Sequence, residues 1–344
     1  MKLLLALIFL TATTASGQFS EAALKAAEAL LGKNGGNRLF YYPTATGPYD
    51  PKEYGYEHEE VTFPSEDGTK LHGWFLPAIV KVPTKAKGTV VFSHGNAGAV
   101  AYHLGFITWA IKGGYNVLLY DYRAFGKSEG KLARKGIVED VRGAFAYVKT
   151  RKDVDPKRLI SFGHSLGGAK SIAALGEKSV DGVRGIISFA GFSSYQEMAL
   201  KIGGKLGSQL VTDEYSPRDY VEKISPVPIL FIHGEKDGVV PISQARELFK
   251  KAQEPKTFIE VKGGNHNESL WKDKNAGVKK RANVEFLNSV ETDDCVLDGL
   301  ISGNIHCKGL LSLQKKAILT GNVKVGRIAI AEGAQHHGEI QMGG

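Results

Sequence analysis

The chain has 344 residues, with 44 Lys and Arg against 36 Asp and Glu, a formal net charge of +8 and 42% apolar residues. This length gives room for one large domain and a small one, and the ordinary apolar share excludes a disordered chain or a membrane bundle. The positive charge is spread without a basic block and no nucleic-acid motif accompanies it, so it reads as a solvated basic face.

Lys2 precedes the apolar run Leu3–Leu10, and small residues fill Thr11–Gly17. Residues 1–17 thus have the layout of a secretory signal, cleaved after Gly17 or after Ala15, with an apolar core too short to span a bilayer. No cysteine follows it, which excludes a lipoprotein anchor. A secreted or periplasmic location is expected. The alternative is a buried amphipathic helix in a cytoplasmic or membrane-associated protein. Residues 18–35 read as a helix and linker, SEAALKAAEALL (Ser20–Leu31) being ended by Gly32.

From Glu59 the stretch EEVTFPSEDGTKLHGWFLPA alternates around Asp67-Gly68 and predicts a hairpin. Strands then alternate with helices. Thr89–Ser93 precedes a helix over Ala99–Ile111, Asn116–Tyr120 precedes a helix over Ile137–Thr150, and Arg158–Phe162 leads into a further helix. Gly185–Ala190, Ile229–His233 and Thr257–Val261 complete the strands, with helices over Ser243–Ala252 and Ala276–Ser289. Such a pattern over residues 36–290 predicts an α/β fold: a mostly parallel sheet with helices on both faces and antiparallel strands at its N-terminal edge.

After Phe286 the chain has no Phe, Tyr, Trp or Pro, and it repeats. Gly309 and Gly326, Ala317 and Ala334, and Gly321 and Gly338 are each 17 apart, and Gly303 and Gly321 are 18 apart. With β-branched residues alternating between the glycines, residues 291–344 read as a short right-handed β-solenoid, joined through the acidic stretch Glu291–Asp294. Cys295 and Cys307 have no metal-ligand spacing. In an oxidising compartment they would pair, and in the cytosol they would be small buried hydrophobes.

The chemistry centres on FGHSLGGAK (162–170). A serine between two glycines, after an apolar strand and before a helix, is the G-x-S-x-G pattern of a nucleophile elbow. Ser165 then needs a base, an orienting carboxylate and donors for an oxyanion, in the chain order Ser, acid, His. ILFIHGEKDGVVP offers Asp237 as the acid, with Glu235 in the same loop as an alternative and Asp213 and Glu214 as remoter ones. VKGGNHNES offers His266 as the base. The amides of Leu166 and Asn96 are the expected oxyanion donors. His94, His164 and His233 flank strand ends, where packing explains them equally well. His72, His103, His336 and His337 have no catalytic context.

Together HGNAG (94–98), DYRAFGKSEG (121–130), GHSLGG (163–168), HGEKDGVVP (233–241) and GGNHN (263–267) resemble the α/β-hydrolase superfamily. They are most similar to its lidless branch of serine aminopeptidase-like enzymes, which contains esterases and acyl-thioesterases. The resemblance spans roughly residues 36–290. It implies the α/β-hydrolase fold, a triad of Ser165, Asp237 and His266, and the backbone amides of Asn96 and Leu166 as oxyanion hole. It also favours Asp237 over Glu235. The loop departs from the pattern at Ala124, where Gly is usual, and Ser128 is expected to be structural. The tail resembles bactofilins, cytoskeletal β-solenoid proteins that polymerise end to end and are generally intracellular. That implies a homo-oligomer or a bactofilin-type filament through residues 296–344.

The expected activity is cleavage of a carboxylic ester or thioester, on a small molecule or an acyl carrier, through an acyl-enzyme. The insertion from Gly191 to about Pro228 is too short for a lipase-type cap. Its Met198, Leu200 and Leu206 lie either at the mouth or, as favoured here, on an ordinary surface helix. A peptidase with the same triad is the alternative, although no acidic cluster advertises a pocket for an α-amino group. A scaffold with a degenerate hydrolase domain is the alternative of another class. Triad chemistry needs no cofactor, and no metal-ligand spacing appears.

Overall fold

The computed structural model describes residues 40–47, 49–80, 85–267, 283–285, 289–292, 295–297, 300–302, 304–313, 318–320 and 322–343. The signal-like start, the helix expected at 20–31 and residues 276–282 of another expected helix lie outside them.

The short strand β1 (Tyr42–Pro43) lies well ahead of the expected hairpin, which forms from β2 (Glu59–Pro64) and β3 (Lys70–Leu76). Its turn is closed by the Ser65 amide on the Thr69 carbonyl at 2.7 Å, with Gly68 at φ +87. β4 (Thr89–Ser93), β5 (Ala97–Gly98, paired with β1), β6 (Asn116–Tyr120), β7 (Leu159–His164), β8 (Val183–Phe189), β9 (Ile229–Gly234) and β10 (Lys256–Val261) follow. The main sheet has the order β2-β3-β6-β4-β7-β8-β9-β10 and is parallel from β6 onward. Strand order reverses at β4, which lies between β6 and β7. The crevice beyond the C-terminal ends of the strands at such a point is where open α/β sheets hold their ligands.

The helices are α1 (Thr108–Lys112), α2 (Arg134–Thr150), α3 (Leu166–Glu177), α4 (Tyr195–Gln209) and α5 (Ile242–Lys251). Alternation along the strands divides the core. Val91, Leu118 and Tyr120 pack into one layer, with Ile137, Val141, Ala144, Phe145 and Val148 of α2. Val90, Phe92, Val117 and Leu119 pack into the other, with Ala110 and Ile111 of α1. Each such aliphatic or Phe side chain contributes about 1.5–3 kcal/mol by leaving water.

Between Ala99 and Ile111 the structure departs from the single helix expected. It has two 3-10 turns, Val100–Tyr102 and Leu104–Phe106, ahead of the five-residue α1. Gly105 weakens helix propensity there, and backbone bonds from Tyr102 to Ala99 and from Phe106 to His103 close three-residue turns.

The C-terminal part contains β11 (Asn283–Glu285), β12 (Ser289–Thr292), β13 (Cys295–Leu297), β14 (Leu300–Ser302), β15 (Asn304–Leu313), β16 (Ile318–Thr320), β17 (Val323–Ile330), β18 (Gln335–His337) and β19 (Ile340–Met342). Where a helix was expected over 276–289, β11 is a strand, with Val284 opposite Val290 in an antiparallel pair with β12. β-Branched residues favour that state. β15, β17 and β19 pair in parallel, as do β14, β16 and β18. Ile305 faces Val323, 18 residues on, and Leu311 faces Ile328, 17 residues on. Cys307, Leu311, Leu313, Val323 and Val325 form a small core of their own. β13 meets β10 antiparallel, Ile259 opposite Leu297, and so joins this part to the edge of the main sheet. Among the described residues no helix is long and apolar enough to cross a membrane.

Candidate active site

β7 runs into α3 through Ser165, whose φ of 53 and ψ of −116 are rarely populated by a residue with a side chain. Two glycines make that turn feasible. A Cβ at Gly167 would lie 1.9 Å from the Ser93 carbonyl oxygen, and one at Gly163 would lie 2.4 Å from that of Gly167. The Ser165 amide is anchored on the Phe189 carbonyl at 2.8 Å, across β8. Its side chain is thereby held at the C-terminal end of the sheet, beside the strand-order reversal.

Asp237 follows β9. Its Oδ1 accepts the amides of Val239 and Val240 at 2.9 and 2.8 Å, which fixes the carboxylate. His266 Nδ1 donates to Asp237 Oδ2 at 2.8 Å, and His266 Nε2 lies 3.0 Å from Ser165 Oγ. With Nδ1 donating to the carboxylate, Nε2 carries the lone pair and is placed to accept a hydrogen bond from the Ser165 hydroxyl. Three residues separated by 72 and 29 positions in sequence are thus within bonding reach. Burial raises the Asp237 carboxyl pKa, but the hydrogen bonds from His233 and His266 and the nearby imidazole charge outweigh burial. The group is held below the usual carboxylate range.

Two of the alternative acids, Glu235 and Asp213, are engaged elsewhere. Glu235 is exposed and accepts the Gly263 amide at 2.9 Å. Asp213 is held by the hydroxyls of Ser194 and Ser216 and by Arg218.

Leu166 is the first residue of α3, so its amide has no intrahelical partner. The loop carrying Asn96 is tied through three successive carbonyls. His94 Nδ1 donates to Gly95 O at 2.7 Å, the Tyr42 amide to Asn96 O at 2.8 Å, and His103 Nε2 to Ala97 O at 3.0 Å. Burial is the main cause that holds His94 neutral and takes His103 down to about 4, so both rings donate without carrying charge. Asp121 Oδ1 accepts the Val100 amide at 2.8 Å, and its Oδ2 lies 3.3 Å from His72 Nδ1. Ser128 bridges the Asp121 carbonyl and the His72 amide, a structural position.

Three of the side chains around the candidate site were not singled out by the sequence. His72 and His103 lack any local pattern, and His233 had only its place at a strand end. His233 proves to be a second donor toward Asp237 Oδ2, at 3.2 Å. Met198 is buried on α4 and Leu200 is exposed, while the side chain of Leu206 lies outside what the structure describes. Lys201 of α4 donates to the carbonyls of Gly238 and Val239, which ties that helix to the acid loop. Among the described residues no group of three or more His, Cys, Asp or Glu is placed to hold a metal ion.

Comparison with known proteins adds the following. The family described as "Serine aminopeptidase, S33" matches residues 84–217, a span that includes Asn96, Ser165 and Leu166 and stops short of Asp237 and His266. The "Uncharacterized protein YfhR" of Escherichia coli (strain K12) is 36% identical over 254 residues, covering 73% of this chain and 87% of its own. The "Alpha/beta hydrolase domain-containing protein WAV2" of Arabidopsis thaliana is 32% identical over 274 residues, covering 73% of this chain and 86% of its own. The crystal structure of the Pyrococcus furiosus esterase Pf2001 superposes with a TM-score of 0.55 at 24% identity, over 67% of this chain and 92% of that one, a likeness of fold. The family described as "Bactofilin: Polymer-forming cytoskeletal" matches residues 254–341. That match begins ahead of β10, yet β10 pairs with β9 in parallel over six residues, from Lys256 opposite Ile229 to Val261 opposite Gly234, so β10 belongs to the main sheet.

Proposed function

We propose that this chain, which belongs to the α/β-hydrolase family, is a serine hydrolase that cleaves a carboxylic ester or thioester. The observation that carries the reading is the His266 ring, 3.0 Å from Ser165 Oγ on one side and 2.8 Å from Asp237 on the other. Ser165 Oγ attacks the carbonyl carbon while His266 Nε2 takes its proton. Asp237 keeps the imidazole in the required tautomer and stabilises the imidazolium. The Asn96 and Leu166 amides stabilise the oxyanion, an interaction whose loss typically costs about 100- to 1000-fold in rate. The bond to the leaving group then breaks, and the leaving oxygen or sulfur takes the proton from His266. Water, deprotonated by the same nitrogen, attacks the acyl-serine, and the products are a free acid and an alcohol or thiol.

A fluorophosphonate probe tests this. Wild type is expected to label and Ser165→Ala not to. Unlabelled wild type, or equal labelling of the variant, overturns the reading in favour of a scaffold. A panel of acyl esters of graded length beside aminoacyl amides then separates esterase from peptidase, which would use the same triad.

The parallel pairing of strands 17 or 18 residues apart favours a second element of the reading: a short right-handed β-solenoid that makes the enzyme oligomeric or docks it on a filament. Deleting residues 292–344 should reduce the particle size in light scattering, and an unchanged monomer rejects the idea. Export through residues 1–17 completes the proposal. Its test is the mass of the mature chain, expected to begin at Gln18 or Ser16.

A further inference from the structure

A cavity of about 300 Å³ lies where β3 meets the end of β6, at the lower end of the size range for small-molecule sites. His72 and Trp74 line it from the buried side, each 7% exposed and two positions apart on β3, hence on one face of the strand. Asp121, just past β6, lines it beside them. Tyr49, Asp50 and Glu53, all exposed, line it toward solvent.

His72 gives the wall an unmet requirement. Its Nδ1 lies 3.3 Å from Asp121 Oδ2, and Asp121 Oδ1 is already held by the Val100 amide at 2.8 Å. A carboxylate so placed takes the Nδ1 proton, which leaves a lone pair on Nε2. Nε2 has no hydrogen-bond partner among the described residues. Glu60 Oε2, 3.7 Å away, is itself an acceptor. A buried acceptor without a donor is costly, and a ligand that brings N–H groups supplies what the wall lacks.

Charge selects the kind of donor. Among the described residues neither Asp50 nor Glu53 forms an ion pair with Lys or Arg. Asp50 Oδ1 accepts the Lys52 amide at 2.9 Å, which fixes that carboxylate and leaves Oδ2. Lys127, the lysine of the wall, is committed to Glu60 at 2.7 and 3.0 Å. Trp74 and Tyr49 add ring surface, which favours cations. No group of three or more His, Cys, Asp or Glu among the described residues is placed for a metal ion, so the cation is organic.

We propose that this cavity binds a small aliphatic primary amine in its protonated form. The ammonium group donates to His72 Nε2, Asp50 and Glu53 attract its charge, and its carbon chain lies against the rings.

The full-length protein is titrated with butylammonium chloride while the Trp74 indole N–H is followed by NMR. No turnover is involved, so the outcome is independent of the serine-hydrolase reading. A saturable shift is expected. Tetramethylammonium, which carries the charge without N–H donors, should bind at least about tenfold more weakly, the size of a lost hydrogen bond to a charged group. Asp50→Asn/Glu53→Gln, changed only at exposed positions, should weaken butylammonium about fivefold. His72→Phe should abolish the shift, and if that variant does not fold, the two cations and the double variant decide. No saturable shift at Trp74, equal affinity for both cations, or unaltered affinity in the double variant overturns the proposal. A second proton on His72, shared with Glu60, would remove the acceptor and give the first of these results.

Discussion

His233 shares the carboxylate of Asp237 with His266. Its Nε2 lies 3.2 Å from the oxygen that His266 holds at 2.8 Å, and the same ring nitrogen donates to the Val240 carbonyl at 2.9 Å. The ring is fully buried, so it fixes the acid loop from beneath while leaving the solvent side to His266. Replacing His233 with Phe removes one of the two ring donors to that oxygen. Outer partners of this kind typically cost about 10- to 100-fold when lost. The expected result is a drop of that order in kcat on an acyl ester with KM little changed, and partial rescue by His233→Gln. A KM effect alone would contradict it.

The Asp237 carboxyl titrates below its ordinary range, because donors from two histidines outweigh its burial. A folded-state pKa below the unfolded value of about 3.9 gives stability that is fully present above that value and fades as pH falls toward the folded one. The gap in urea midpoint between wild type and Asp237→Asn should be largest above about pH 5 and should narrow in acid. A gap that widens below pH 4 would show that the carboxylate is not the stabilised form.

Gly167 has no space for a side chain, its missing Cβ falling 1.9 Å from the Ser93 carbonyl oxygen in β4. Gly167→Ala must push α3 away from β4, at a cost of about 1–3 kcal/mol or more. Both a lower urea midpoint and loss of fluorophosphonate labelling are expected.

Ala124 occupies the left-handed region with φ 64. That conformation costs a non-glycine residue about 1–2 kcal/mol, while a glycine adds about 0.4–1 kcal/mol of unfolded-state freedom. The first effect is the larger, so Ala124→Gly should stabilise the fold by up to about 1 kcal/mol in urea denaturation.

The strands were legible where apolar runs are continuous. Thr89–Ser93 and Asn116–Tyr120 occupy the ranges their sequences predict, because strands buried on both faces need no alternation. Ser165 was legible because only a strand-to-helix turn needs small residues on both sides at that spacing. The supports of the loop that carries Asn96 were not. Asp121 reaches back to His72 and Val100 through contacts that the sheet order creates, and His103 bonds Ala97 within a loop whose turns the sequence did not reveal. The region 99–111 misled for a related reason. Its apolar residues suit a helix, but the turns there are three residues long and close around Gly105.

The unusual backbone of Ser165 has one more implication. The posture is imposed by the Phe189 carbonyl and by glycines that no other residue can replace, so it is set once, when the chain folds. In the proposed hydrolase mechanism, the Ser165 backbone therefore has no rearrangement left to make when a substrate arrives.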